Sequence, residues 1–100
     1  MLTKVAVEEK GVIRVTFSYP GESWAETVHV VGDFNNWDRH SLPLARSRQG
    51  DEDWEITIDL EAAKAYQFRY LINGTTWVND CNADDYVSNP FGGSNSVVAT

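Results

Sequence analysis

The chain of 100 residues is long enough for one small domain and too short for two, and size scaling buries about 65% of its extended surface without help from a disulfide or a metal. Eight basic residues against fifteen acidic ones leave a formal charge of -7, which repels nucleic-acid phosphates and anionic membranes and is offset by no basic cluster. Residues 1–9 lack the apolar run of a signal peptide, and no stretch reaches the about eighteen apolar residues of a membrane span. The lone cysteine, Cys81, fits a reducing compartment. The expectation is a cytoplasmic protein, residues 1–100 in one unit, with no nucleic-acid or membrane partner, no cofactor and no metal. The surplus is aromatic: four Trp and four Tyr, amphipathic rings beyond what a core of this size needs.

Period-two alternation runs through most of the chain. In residues 11–19 it sets Ile13, Val15, Phe17 and Tyr19 against Arg14, Thr16 and Ser18, the pattern of a half-buried strand, and Pro20-Gly21 ends it. Residues 27–31 put Val28 and Val30 together and stop at Gly32-Asp33. A short strand at 42–45 carries Pro43, which predicts a sheet edge. The polar run 46–53 reads as a hairpin loop. After it, Trp54, Ile56, Ile58 and Leu60 alternate with Glu55, Thr57 and Asp59. Residues 61–64 are too few for an independent helix and predict a turn. Tyr66, Phe68, Tyr70 and Ile72 then share a face opposite Gln67, Arg69 and Leu71, until Asn73-Gly74 marks a tight hairpin. Trp77 and Val78 fall on or just after the returning arm, residues 79–94 read as a loop, and 96–99 form a last strand. About six to eight short strands at this spacing indicate an all-β antiparallel sandwich, with a barrel as the alternative.

The carboxylates do not select an enzyme. Asp51, Glu52 and Asp53 are a solvated charge run, and Asp80, Asp84 and Asp85 lie among polar or small residues, without the apolar burial that raises a catalytic carboxyl's pKa. Asp80, Asn82 and Asp84 match the first oxygen positions of a calcium loop, but Asp85 stands where its glycine belongs and Phe91 where its bidentate glutamate belongs. That leaves an irregular cation site or plain Asx turns. His29 and His40 are not at ligand spacing, and Cys81 has no activating neighbour. Among the aromatics, Trp54 reads as core and Trp24 as a ring packed over an edge. Trp37 and Trp77 differ, since both sit at polar turns. Two indoles flanked by amides and carboxylates suit a saccharide, which offers an apolar face for stacking and hydroxyls for planar polar partners; ordinary packing of the two rings is the alternative.

Several motifs in order carry a resemblance. Gly32-Asp33-Phe34-Asn35-Asn36-Trp37, then Trp54-x-Ile56-x-Ile58-x-Leu60, then Tyr66 through Gly74 with Trp77 and Asp80, and finally Pro90-Phe91-Gly92-Gly93-Ser94-Asn95-Ser96-Val97-Val98 resemble the early-set glycogen- and starch-binding modules, carbohydrate-binding module family 48. These modules stand at the front of isoamylases and glycogen branching enzymes and in the beta subunit of the AMP-activated kinase. The resemblance implies an immunoglobulin-like sandwich and non-enzymatic binding of α-glucan. In the kinase-type modules two tryptophans, a lysine, and a loop with a protruding leucine, a threonine and an asparagine hold the polysaccharide. By motif the tryptophans correspond to Trp37 and Trp77, the lysine to Arg69, the leucine to Phe91 and the asparagine to Asn95. Gly93 stands at the threonine position and offers no hydroxyl. The implied partners are an α-glucan (glycogen, starch or maltodextrin) and a glycogen- or starch-metabolising enzyme. The alternative role is a protein-interaction or regulatory module attached to such an enzyme.

Overall fold

The computed structural model describes residues 2–21, 24–46, 53–90 and 92–100. Most of the expected 46–53 loop therefore lies outside the described residues, as does Phe91. Within them, nine strands form two antiparallel sheets. One sheet contains, in spatial order, β1 (Leu2–Val7), β2 (Val12–Tyr19), β5 (Trp54–Glu61) and β4 (Ala45–Arg46). The other contains β3 (Val28–Gly32), β6 (Ala65–Ile72), β9 (Ser94–Ala99) and β8 (Asp85–Ser88), with β7 (Thr76–Val78) also on β6. Along β6, β3 pairs with residues 68–72, while β9 takes 65–68 and β7 takes 70–72. A strand has two edges, so β7 and β9 divide between them the edge that β3 leaves. This is the expected antiparallel sandwich, two separate sheets rather than a closed barrel.

The core is built by the alternation. Val15, Phe17 and Tyr19 of β2 and Val28, Val30, Phe68, Tyr70, Ile72 and Val98 of the second sheet are all buried. Their rings interlock across the sandwich: Phe17 meets Phe68 edge-on at 5.1 Å, and Tyr19 meets Tyr70 at 5.4 Å. Register puts Phe17 opposite Ile56 and Val15 opposite Ile58, so a one-residue slip would turn both rows outward. At the β6–β7 hairpin Asn73 and Gly74 have φ of 54° and 72°, the pair of left-handed residues that a tight I′ turn needs.

Two strands were not expected from the sequence, β1 and β8, and both are sheet edges. In β1, Lys4 lies opposite the fully buried Val15, on the inward-facing side, and its Nζ reaches Asp84 Oδ2, just before β8, at 2.6 Å. An inward-pointing charge is a device that discourages edge-to-edge pairing. The segment at 42–45 passes between the sheets. Val30 N–H donates to Leu42 O at 3.1 Å, Pro43 bridges His29, and Leu44 N–H donates to Val28 O at 2.8 Å before β4 joins β5. Pro43, which has no N–H to give, lies beside the edge of β3, as its chemistry requires.

Candidate functional site

The second sheet has an outward face whose residues follow from register. Arg69 is opposite Val31, Leu71 is opposite both His29 and Trp77, and Gln67 is opposite Val97. Asn95, two residues from Val97 on the same strand, shares that face. Alternation alone places Leu71 in solvent, yet Val31 is 0% exposed, Leu71 2% and Val97 7%. These three form a buried apolar floor on the side away from the core. Larger aromatic and polar side chains lie over this face and form a groove of about 490 Å³.

Trp37, Arg69, Trp77 and Asn95 all line this groove, so four of the five side chains singled out in the sequence come together. Phe91 lies outside the described residues. Among the described residues Arg39, Asn89 and Pro90 also line it, and these were missed. No periodicity marks them. The available signals were Arg39's place two residues after Trp37, and Asn89-Pro90 as a turn dipeptide.

Trp37 is presented by a turn that uses nearly every residue of its motif. A Cβ on Gly32 would lie 2.4 Å from Gln67 O and 2.8 Å from Phe68 Cβ, so only glycine lets β3 approach β6 there. A 3-10 turn over Asp33–Asn35 follows, and then Asn36 and Trp37 take φ of 56° and 58°. A tryptophan in the left-handed region is strained, and such strain gathers where geometry serves function. Four hydrogen bonds hold it there. Trp37 N–H donates to Gly32 O (2.9 Å) and its indole Nε1–H to Asp33 Oδ1 (2.9 Å), while Asp33 Oδ2 accepts from Gln67 N–H (2.8 Å) and Asn35 Oδ1 from Gly32 N–H (3.0 Å). Phe34 anchors the turn in the core, 5.3 Å from Phe17. With the indole N–H satisfied by Asp33, what Trp37 offers a ligand is its ring.

The rest of the groove comes from β6, β7 and the loop between β8 and β9. Arg39 places its guanidinium carbon 5.5 Å from the centre of the Trp77 ring, at cation-π distance. Amides run along the other side. Asn89 Nδ2 donates to Asn95 Oδ1 at 3.3 Å and Asn95 Nδ2 to Gln67 Oε1 at 3.1 Å. Asn89 also closes its own loop, accepting from Gly93 N–H at 3.1 Å and donating its backbone N–H to Gly93 O at 2.9 Å. Arg69 is half-buried rather than fully exposed, and its Nε is buried without a hydrogen-bond partner. Apolar ring faces beside fixed amide and guanidinium groups can stack on one side of a flat ligand and hydrogen-bond at its rim.

The other residues weighed in the sequence have partners of their own. Asp80, 2% exposed, accepts from Tyr70 Oη at 2.7 Å and from Asn82 N–H at 2.8 Å. Burial, and then the Asp80 carboxylate, push the Tyr70 phenol's pKa well above its ordinary value. Asp84 binds Lys4 and the Ala99 N–H, and Asp85 the Tyr86 N–H. Among the described residues no group of three His, Cys, Asp or Glu side chains is arranged to hold a metal; Asp51 and Glu52 lie outside them. His29 and His40, unrelated by sequence spacing, meet edge-on at 6.4 Å. Burial, and then His40, lower the pKa of His29. Trp54 is core, at 7% exposure, and Trp24 is exposed. No helix among the described residues is long and apolar enough to cross a membrane.

Comparison with known proteins bears on the groove. The profile of the family described as carbohydrate-binding module 48 (isoamylase N-terminal domain) matches residues 7–92. The chain is 32% identical over 88 residues to the 1,4-alpha-glucan branching enzyme GlgB of Aquifex aeolicus (strain VF5), a match covering 85% of this chain and only 14% of that enzyme. Among solved structures, the ferric enterobactin esterase (fes) of Salmonella typhimurium superimposes with a TM-score of 0.75 over 98% of this chain and 33% of its own, at 15% identity. At that identity the likeness is one of fold alone.

Proposed function

Because this chain belongs to the carbohydrate-binding module 48 (isoamylase N-terminal domain) family, we propose that the groove on its second sheet binds an α-glucan without transforming it. The observation that carries this reading is the convergence of Trp37 and Trp77, distant in sequence, in one groove with Arg69 and Asn95. The two indoles stack on successive glucosyl rings. Arg69 and the Asn89, Asn95 and Gln67 amides meet the hydroxyls at the rim, and Phe91, next in sequence to the groove-lining Pro90, supplies the apolar wedge. Each sugar hydrogen bond contributes roughly 1 kcal/mol net, so longer chains bind better than glucose. On this reading residues 1–100 form one binding module acting in the cytoplasm.

A second role sits beside the first. The 1,4-alpha-glucan branching enzyme relative carries the matching segment as 14% of its length, and this favours a module that works next to a glucan-metabolising enzyme and delivers polysaccharide to it.

Calorimetric titration with maltoheptaose tests the glucan reading. Trp37→Ala and Trp77→Ala should each weaken binding by about thirty-fold, the effect of removing an aromatic anchor worth about 2 kcal/mol, with thermal unfolding little changed. Arg69→Ala should cost about five-fold, a hydrogen bond's worth. Full affinity in both tryptophan variants, or no heat from the unsubstituted chain at millimolar glucan, would refute the assignment.

A further inference from the structure

Four of the eight basic side chains of this acidic protein have a partner among the described residues. Lys4 pairs with Asp84, Arg14 with Asp59 and Lys64 with Glu61, while Arg46 donates to Ala25 O and lies over the Trp54 ring. Arg39 and Arg69 are different. Neither donates a hydrogen bond or forms an ion pair among the described residues, and both line the groove. No carboxylate appears among the described lining residues. The chain's formal charge is -7, yet the described lining of its groove holds two guanidinium groups and no carboxylate.

The state of each arginine points to a ligand. Arg69 Nε is buried with no acceptor, and a buried donor left unpaired is costly unless a ligand completes it. Arg39 has its guanidinium carbon over the Trp77 ring, 5.5 Å from the centroid, a cation-π contact that uses none of its N–H donors in a hydrogen bond to an acceptor oxygen. A neutral sugar hydroxyl supplies a single uncharged acceptor oxygen. A phosphate monoester supplies three charged oxygens in the geometry a guanidinium fork matches.

Resting on the glucan reading above, we propose that the groove is selective for α-glucan bearing a phosphate monoester: Arg39 and Arg69 take the phosphate while Trp37 and Trp77 take the neighbouring glucosyl rings. Arg39 is thereby a specificity-determining residue, and the phosphate draws it from its rest position on Trp77.

The test is calorimetric titration of the whole chain with three probes: maltoheptaose, maltoheptaose phosphorylated on one primary hydroxyl, and inorganic phosphate. The phosphorylated glucan should bind at least about ten-fold tighter than the neutral one, as expected when charge-assisted hydrogen bonds replace neutral ones. That advantage should shrink between about 50 and about 200 mM salt as the charges are screened. In Arg39→Gln and Arg69→Gln the ratio of the two affinities should fall toward one. Equal affinity for the two glucans in the unsubstituted chain overturns this inference and leaves neutral glucan binding intact. Inorganic phosphate binding as tightly as the phosphorylated glucan overturns it in favour of a bare anion site. Failure of both glucans to bind overturns this inference and the glucan reading together.

Discussion

The tryptophans show how one residue type serves opposite ends. Trp54 is 7% exposed, with the Arg46 guanidinium 4.9 Å above its ring, whereas Trp37 and Trp77 are half-buried around a groove. Trp54→Ala should therefore destabilise the fold by about 3–5 kcal/mol, the range for emptying a core aromatic site. That is a large share of the about 5–15 kcal/mol that holds a small domain together. Urea unfolding checks it, and a loss below about 1 kcal/mol would show that Trp54 is not core. This division was legible because Trp54 alternates with Ile56 and Ile58, while Trp37 and Trp77 stand among polar residues outside any apolar row, although the structure puts Trp77 in β7 and not at a turn. Arg39 was not legible. Its role depends on its meeting Trp77, 38 positions away by residue number, and no local pattern records a contact of that span.

Among the elements, alternation found the strands that bury a row of apolar side chains and missed those that do not. β1 sets Lys4 inward between Leu2 and Ala6, breaking the pattern where apolar residues are expected. In β8, Asp85-Tyr86-Val87-Ser88 is largely exposed. What ties the two edges together is the bond between Lys4 and Asp84, and it makes a pH prediction. Burial alone would raise the pKa of Asp84. The hydrogen bonds from Lys4 Nζ and the Ala99 N–H outweigh it and hold the carboxyl below its ordinary value of 3.8. A depressed folded-state pKa gives stability that is full above the unfolded value and is lost as pH falls through the folded one. With the side chains 32% and 31% exposed, the contribution is at most about 1 kcal/mol. Lys4→Met should lower the midpoint of thermal unfolding at neutral pH by a few degrees and make the fall on acidification below about pH 4 shallower. Identical acid profiles for the two proteins would remove Lys4 from the account.

At the scale of the molecule, the fold class was readable from periodicity, but the groove was not, because it exists only through register. Trp77 reaches it by pairing opposite Leu71, and Arg69 by pairing opposite Val31. Trp37 arrives on the turn beyond β3, and Asn95 from the far end of the chain. Family motifs could nominate such residues; strand pairing alone brings them together. It follows that the unfolded chain has no groove, so glucan binding must stabilise the whole sandwich by mass action. At about ten times its dissociation constant the ligand contributes about 1.4 kcal/mol. For a domain of this size that raises the unfolding midpoint by roughly 6–11 °C, at about 4–8 °C per kcal/mol. Scanning calorimetry with and without maltoheptaose reads the shift, and in Trp77→Ala at the same glucan concentration it should shrink to about 1 °C or less. A midpoint that moves as far in Trp77→Ala as in the unsubstituted chain would mean that the folded protein holds its glucan somewhere other than this groove.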